Sequence, residues 1–277
     1  MDKIEILLIG CGKMGSSLLR GITNTNNFFS KIVVVDPFYE ENIENSRNLQ
    51  KVNFYKSTDE IDSLSSFDVI IIATKPNIYK DIFIDLKNRL DKGNDSLIIS
   101  ILAGITINKI EEIINPSPII RSMPNIAASV GESMTALYGN RNVKKKHVNI
   151  SDLIFESVGK KIWLDNELQL NSFTAISGSG PAYYFYLTEC IQTIAIEEGF
   201  SKEASRFISR QLIVGAGKLS EFSDIDISQL RKNVTSKKGT TESALGVLND
   251  NKSGLLIKLR QAINKSKKRS EEISELS

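Results

Sequence analysis

Apolar and polar positions along this chain follow two different rhythms. Through about the first 165 residues, short runs rich in Ile, Val and Leu alternate with longer segments of mixed polarity. The runs Ile4–Ile9, Lys31–Asp36, Val69–Ala73, Leu97–Ser100 and Ile119–Arg121 read as buried strands. They are almost continuously apolar, as parallel strands covered on both faces must be. Between them, Lys13–Ile22, Ile78–Leu90 and Ile107–Ile114 carry helical spacing. This alternation predicts a doubly wound parallel sheet. A shorter strand pair is expected near Ser133–Tyr138 and Lys161–Leu164, flanking a helix over Val143–Ser157.

Beyond Trp163 only helical periods remain. Pro181–Glu198 reads as one long apolar helix, with Pro181 early in its first turn, where a missing N–H costs nothing, and Gly199 at its end. Ser201 starts a second helix with Glu203 close behind, and Thr240 or Thr241 starts a third that ends near Asn249-Asp250. The last thirteen residues, Lys265–Ser277, are charged and read as a frayed, solvated helix end. The expected domains are therefore an α/β unit over 1–165 and an all-α unit over 166–277. About two domains is also what 277 residues suggest.

Composition narrows the chemistry. Thirty-five basic and 33 acidic side chains leave a formal charge of +2, without the concentrated basic surplus that nucleic acid or an anionic membrane surface requires. No stretch reaches the roughly 18 uninterrupted apolar residues of a spanning helix, and the opening apolar run reads as a strand rather than a secretory signal. A cytoplasmic protein is expected. The single His, His147, follows Lys144-Lys145-Lys146 and reads as an exposed surface residue; a His-built metal site is excluded. Of the two Cys, Cys11 fills a place that wants a small side chain and Cys190 reads as core of the long apolar helix. Tyr183, Tyr184 and Tyr186 read as packing or interface contacts.

Gly10-Cys11-Gly12-Lys13-Met14-Gly15 joins the first strand to the first helix. In that context the first Gly permits a tight turn, the second admits a pyrophosphate against the backbone, and the third lets helix and strand approach. The helix N-terminus adds free N–H groups and partial positive charge. A Rossmann-type dinucleotide-binding domain follows, although the same glycines also suit a turn that holds no cofactor. Asp36 ends the second strand, where a carboxylate accepts from a ribose 2′-OH and repels a 2′-phosphate. With Glu40 nearby this tilts the cofactor toward NADH; Lys31 and Arg47 are the cations that could still meet a 2′-phosphate, and Asp36 equally suits a cap on the next helix. Ala73-Thr74-Lys75-Pro76 closes the strand Val69–Ala73 and should face the cofactor, with Lys75 reading as a buried cation beside the nicotinamide ribose. Ala103-Gly104 forms a second small-residue edge.

Together with Ser100–Gly104, Arg121-Ser122-Met123-Pro124-Asn125, Ser177-Gly178-Ser179-Gly180-Pro181-Ala182-Tyr183, Val234-Thr235-Ser236 and Gly239-Thr240-Thr241, these motifs resemble the pyrroline-5-carboxylate reductase family, in order and spacing, from residue 4 to about 262. The resemblance implies a Rossmann domain followed by a helical dimerisation domain. It implies reduction of the cyclic imine 1-pyrroline-5-carboxylate to proline by NAD(P)H, a small-molecule substrate, and a homodimer or larger even homo-oligomer. The family often uses NADPH. By resemblance, the substrate-binding residues are Ser236, Gly239, Thr240 and Thr241: Thr241 contacts the imine nitrogen, and Ser236, Gly239 and Thr240 cradle the substrate carboxylate. On residues alone, Thr240-Thr241 equally reads as a helix N-cap.

The chain departs from the family pattern at Ser236-Lys237-Lys238-Gly239, where Ser-Pro-Gly-Gly is usual, and at Ile126-Ala127-Ala128, which reads as a packing change. If the replaced glycine has positive φ, Lys238 carries strain. Its lysines either add positive charge beside an anionic substrate or remodel the loop for another imine acid. A related β-hydroxy acid dehydrogenase would carry a Lys on its first long second-domain helix, which Pro181–Glu198 lacks. A non-catalytic dinucleotide-binding protein would not need the Gly-Thr-Thr segment.

Overall fold

The computed structural model describes residues 3–25, 28–39 and 52–276. The chain forms two compact units, 1–178 together with 267–277, and 179–266.

The first unit is built on eight strands: β1 (Ile4–Ile9), β2 (Phe29–Val35), β3 (Val52–Tyr55), β4 (Val69–Ile72), β5 (Leu97–Ser100), β6 (Ile119–Met123), β7 (Ser133–Gly139) and β8 (Gly159–Trp163). Their spatial order is β3-β2-β1-β4-β5-β6-β7-β8. Every neighbouring pair is parallel except β6 and β7. Its helices are α1 (Lys13–Asn24), α2 (Tyr79–Arg89), α3 (Ile107–Glu111), α4 (Lys145–Glu156) and α5 (Gln169–Phe173).

Side chains alternate across a strand, so one apolar run supplies two cores. Ile6 and Leu8 of β1 pack with Leu18 and Ile22 of α1 and with Ile154 and Phe155 of α4. Leu7 and Ile9 face the other side, with Phe83 and Leu86 of α2 and Ile110 of α3. Each such side chain contributes about 1.5–3 kcal/mol of transfer free energy. This two-sided burial explains why the strand sequences are continuous rather than alternating.

Strand β3 is absent from the sequence expectation. It has four residues at the sheet edge, and only Val52 among them is buried, so its apolar signal is weak. Glu40 and Arg47 lie outside the described residues. Lys31 is engaged with Glu5 at 3.6 Å and lies over the Phe67 ring at 5.0 Å.

The second unit is helical: α6 (Gly180–Glu197), α7 (Lys202–Glu221), α8 (Ile227–Asn233), α9 (Thr240–Leu248) and the start of α10 (Leu255–Leu276). Gly199, at φ 91°, stops α6, and Ser201 Oγ accepts the Ala204 N–H at 3.2 Å to cap α7. No described apolar side chain of this unit is buried: the buried hydrophobic residues end at Ala175. Phe185 is 65% exposed and Phe207 71%. Cys190 is accordingly half-buried, not core.

The last strand ends at Trp163 and the next helix begins at Gln169, whereas the compact units part after Gly178 rather than at the expected 165/166. Polar ties hold 166–178 to the sheet unit. Arg121 pairs with Glu167 at 2.9 Å, and Asn125 Nδ2 donates to the Ser177 carbonyl at 3.1 Å. The chain end is not frayed: α10 runs to Leu276, with the Lys265–Arg269 cluster inside it. Ser270 Oγ donates to Asn171 Oδ1 at 2.9 Å, and Lys109 Nζ to the Ser274 carbonyl at 2.6 Å.

Candidate functional site

Strand order reverses at β1, which lies between β2 and β4, and the carboxyl ends of strands at such a switch point are where open α/β sheets take their ligands. The glycine turn stands there. Gly10 has φ 96°, and a Cβ on it would strike the Ala73 backbone. A Cβ on Gly15 would strike the Gly10 carbonyl. Around Gly12, by contrast, a Cβ would meet nothing within 4 Å. Gly12 is also the N-cap of α1 and offers no side-chain cap to the first-turn N–H groups. Two glycines that must be bare to pack, and one open above a helix N-terminus, fit a pyrophosphate.

Asp36 is 9% exposed at the end of β2. Its Oδ2 accepts the Cys11 N–H at 2.6 Å and its Oδ1 the Phe38 N–H at 2.8 Å. The carboxylate thus ties the glycine turn to β2 and also caps the turn after it. Each oxygen retains a lone pair for a further donor. The Cys11 thiol is buried, and burial followed by the Asp36 charge pushes it up to about 11, so it stays protonated at neutral pH.

At the second edge, Gly10 brings β1 against Ala73-Thr74, and Pro76 opens a 3-10 turn that leads into α2. Lys75 is exposed, contrary to the expected buried cation: it is the N-cap of that turn and its side chain leaves the sheet. Ala103 is exposed and Gly104 buried at φ 79°. Lys13 is exposed and Met14 partly so, at the start of α1.

Two polar ties behind this edge carry no functional reading in the sequence. The Arg121–Glu167 pair, buried on its Arg121 side, reaches further, because Glu167 Oε1 also accepts the Ile107 N–H at 2.8 Å and so anchors α3 just after Ala103-Gly104. Asn125 meets the Ser-Gly-Ser-Gly run, and Ser177 Oγ donates to the Met134 carbonyl at 3.3 Å. A π-helical turn, Thr174–Gly178, leads into that run, a distortion often found at functional sites. Partners 46 and 52 residues apart leave no local sequence signal.

In the second unit, Ser236–Thr241 leads into α9. Gly239 is its N-cap, with no side-chain cap, so Thr240 and Thr241 occupy the first turn instead of capping it. A Cβ on Gly239 would collide with Ser236 Oγ. Thr241 is partly buried; Ser236 and Thr240 are exposed. Lys238 has φ 60°, the one non-glycine residue at positive φ among the described residues. That conformation costs about 1–2 kcal/mol. Glu242 Oε2 accepts its N–H at 2.6 Å.

His147 is fully buried, which corrects the exposed reading. Its Nδ1 accepts the Lys144 N–H at 3.0 Å, which assigns the proton to Nε2, 3.2 Å from the Asp95 carbonyl. The neighbouring lysines turn outward to the Asp95 carboxylate, Lys144 at 2.9 Å and Lys146 at 2.7 Å. Hydrogen bonds from these two lysines, Lys146 foremost, hold Asp95 down at about 2. His147 is thus a structural clamp at the start of α4.

Residues 167–273 match the family model for pyrroline-5-carboxylate reductase dimerisation, and residues 5–104 that for coenzyme F420-dependent NADP oxidoreductase. Pyrroline-5-carboxylate reductase 1 of Bacillus spizizenii is 33% identical over 99% of this chain and 91% of its own. The Pseudomonas aeruginosa reductase is 31% identical over 99% and 98%. Among solved structures, a pyrroline-5-carboxylate reductase from Coxiella burnetii superposes with a TM-score of 0.88 at 30% identity, covering 99% of both chains. The Plasmodium falciparum pyrroline carboxylate reductase with NADP bound gives 0.79 at 29% identity, again over 99% of both.

Proposed function

The chain belongs to the pyrroline-5-carboxylate reductase family, and from that premise we propose the role of each site residue. The protein is an oxidoreductase that reduces 1-pyrroline-5-carboxylate to proline with NAD(P)H, the last step of proline biosynthesis. It is a homo-oligomer. The observation that carries the substrate is likeness to such reductases over 99% of the chain; the geometry independently supports a dinucleotide.

When bound, NAD(P)H supplies the hydride, so the protein needs neither nucleophile nor metal. Gly10, Gly12 and Gly15 make room for the pyrophosphate, and Cys11, Lys13 and Met14 complete the turn at the α1 N-terminus. Asp36 faces the adenosine ribose, where its charge favours a 2′-OH over a 2′-phosphate. Ala73-Thr74-Lys75-Pro76 and Ala103-Gly104 form the nicotinamide side. Ser236, Gly239 and Thr240 hold the substrate carboxylate with hydroxyl and first-turn N–H groups. The Thr241 hydroxyl donates a hydrogen bond to the imine nitrogen, orienting the C=N bond and drawing charge toward nitrogen as the hydride arrives. The support for Thr241 is that Gly239 is the helix cap, which leaves the threonine hydroxyl for substrate. The assembly is a homodimer or a larger even oligomer, acting in the cytoplasm.

Thr241→Val keeps the side-chain shape and removes the donor. We expect kcat with pyrroline-5-carboxylate to fall by roughly 10- to 100-fold while the KM for the dinucleotide stays put. An unchanged kcat removes Thr241 from this role.

A further inference from the structure

The substrate loop contains a feature that the reduction itself does not require. Between Arg231 and Thr241 the sequence has four cations, Arg231, Lys232, Lys237 and Lys238, and no acid. The whole chain carries only +2. Lys237 and Lys238 are exposed, and neither joins an ion pair among the described residues. The nearest acid on α9, Glu242, is turned onto the Lys238 backbone N–H at 2.6 Å, which directs its charge to the peptide. Lys238 stands at φ 60°, a place where glycine would sit without strain. Residues held in costly backbone conformations gather where they serve binding or chemistry.

We propose that Lys237 and Lys238 are specificity-determining residues that attract and align the carboxylate of the incoming imine acid. This rests on the substrate loop proposed above. A strained backbone, two unpaired ammonium groups and an N-cap without a side-chain cap occupy consecutive positions, Lys237 to Gly239. The protein accepts a less stable loop in return for positive charge at the mouth of the carboxylate site. Because the chain as a whole is nearly neutral, long-range attraction for an anion has to come from such local groups. Exposed charges act in a screened medium, so the effect belongs to capture and must fade with salt.

The test compares the unaltered protein, Lys237→Ala/Lys238→Ala, Lys237→Arg/Lys238→Arg and Lys238→Gly, each at low and high ionic strength, with synthetic pyrroline-5-carboxylate. At low salt the Ala pair should lower kcat/KM for the imine acid by about 3- to 10-fold, as two screened charges several ångströms from a carboxylate would. The gap should close at high salt, and the Arg pair should restore the loss. Lys238→Gly should raise Tm by relieving the strain and still raise KM. An Ala pair with unchanged KM overturns the proposal. So does a loss that ignores salt, which would make the loop's shape the cause, or a Lys238→Gly protein that gains stability with no change in KM. Absence of turnover by the unaltered protein is a distinct result, and it overturns the underlying substrate reading as well.

Discussion

Asp36 serves the fold, and we propose that the same side chain sets the choice of cofactor. Its two oxygens take the Cys11 and Phe38 N–H groups, so a negative charge is fixed at 9% exposure beside the glycine turn. A 2′-phosphate brought there meets a like charge with little water to screen it. We expect NADH to be used at least about tenfold better than NADPH, and Asp36→Asn, which keeps one acceptor oxygen, to narrow that ratio by about tenfold. Steady-state kcat/KM with each dinucleotide checks both. NADPH preference in the unaltered protein would remove Asp36 from this role. The glycine turn and Asp36 were readable in sequence because each depends on a fixed local spacing. His147 and Lys75 were not. Three lysines before His147 read as a solvated face, yet two of them, Lys144 and Lys146, turn to Asp95, and the imidazole is buried. Lys75 follows a buried strand and already points away from it as the cap of the next turn.

At the scale of elements, His147 ties the start of α4 to the segment before β5. Burial lowers its pKa; the Asp95 carboxylate opposes that, and Lys146 and Lys144 add to it. The folded protein therefore takes up this proton at lower pH than the unfolded chain, whose His titrates near 6.5. Stability from this clamp is complete above that value and lost as pH falls below it. Thermal melts should show Tm dropping by a few degrees between about pH 7.5 and 5.5, and His147→Gln should flatten that dependence. Asp95, held at about 2, acts only in a lower window, as pH falls through about 4 toward 2. An equal slope in the variant would assign the pH effect elsewhere. Among elements, buried central strands such as β1 and β4 were legible from composition alone. Strand β3 was not, because an edge strand with one buried residue carries too little apolar signal. The ties Arg121–Glu167 and Asn125–Ser177 escaped for a different reason: the fold makes them, across long stretches of chain.

For the whole molecule, the contrast between the two units decides the assembly. The sheet unit owns both hydrophobic cores. The helical unit has no buried apolar side chain among its described residues, and its α6 presents Tyr184, Phe185 and Tyr186 at more than 60% exposure. A helix that is apolar nearly all round must be covered, and a second copy of the same unit is what the dimerisation match supplies. Light scattering on eluting protein should give an even multiple of 30.8 kDa, and Phe185→Asp should lower that mass or unfold the helices. A stable monomer would contradict the pairing. The two-domain plan was legible because strand and helix rhythms differ, but where the units part was not. Residues 169–178 are helical, yet the stretch 166–178 belongs to the sheet unit, tied there through Glu167, Asn171 and Ser177.

All three scales meet in the proposed reaction, in which a dinucleotide, hydroxyls and backbone N–H groups do the work in a chain with one buried, structural His and one buried, protonated thiol at the glycine turn. The most direct test follows NADH and NADPH oxidation spectrophotometrically as synthetic pyrroline-5-carboxylate is added to the purified full-length protein. Imine-dependent oxidation with proline as the product, faster with NADH, is the expected result. No oxidation with either dinucleotide would contradict the assignment.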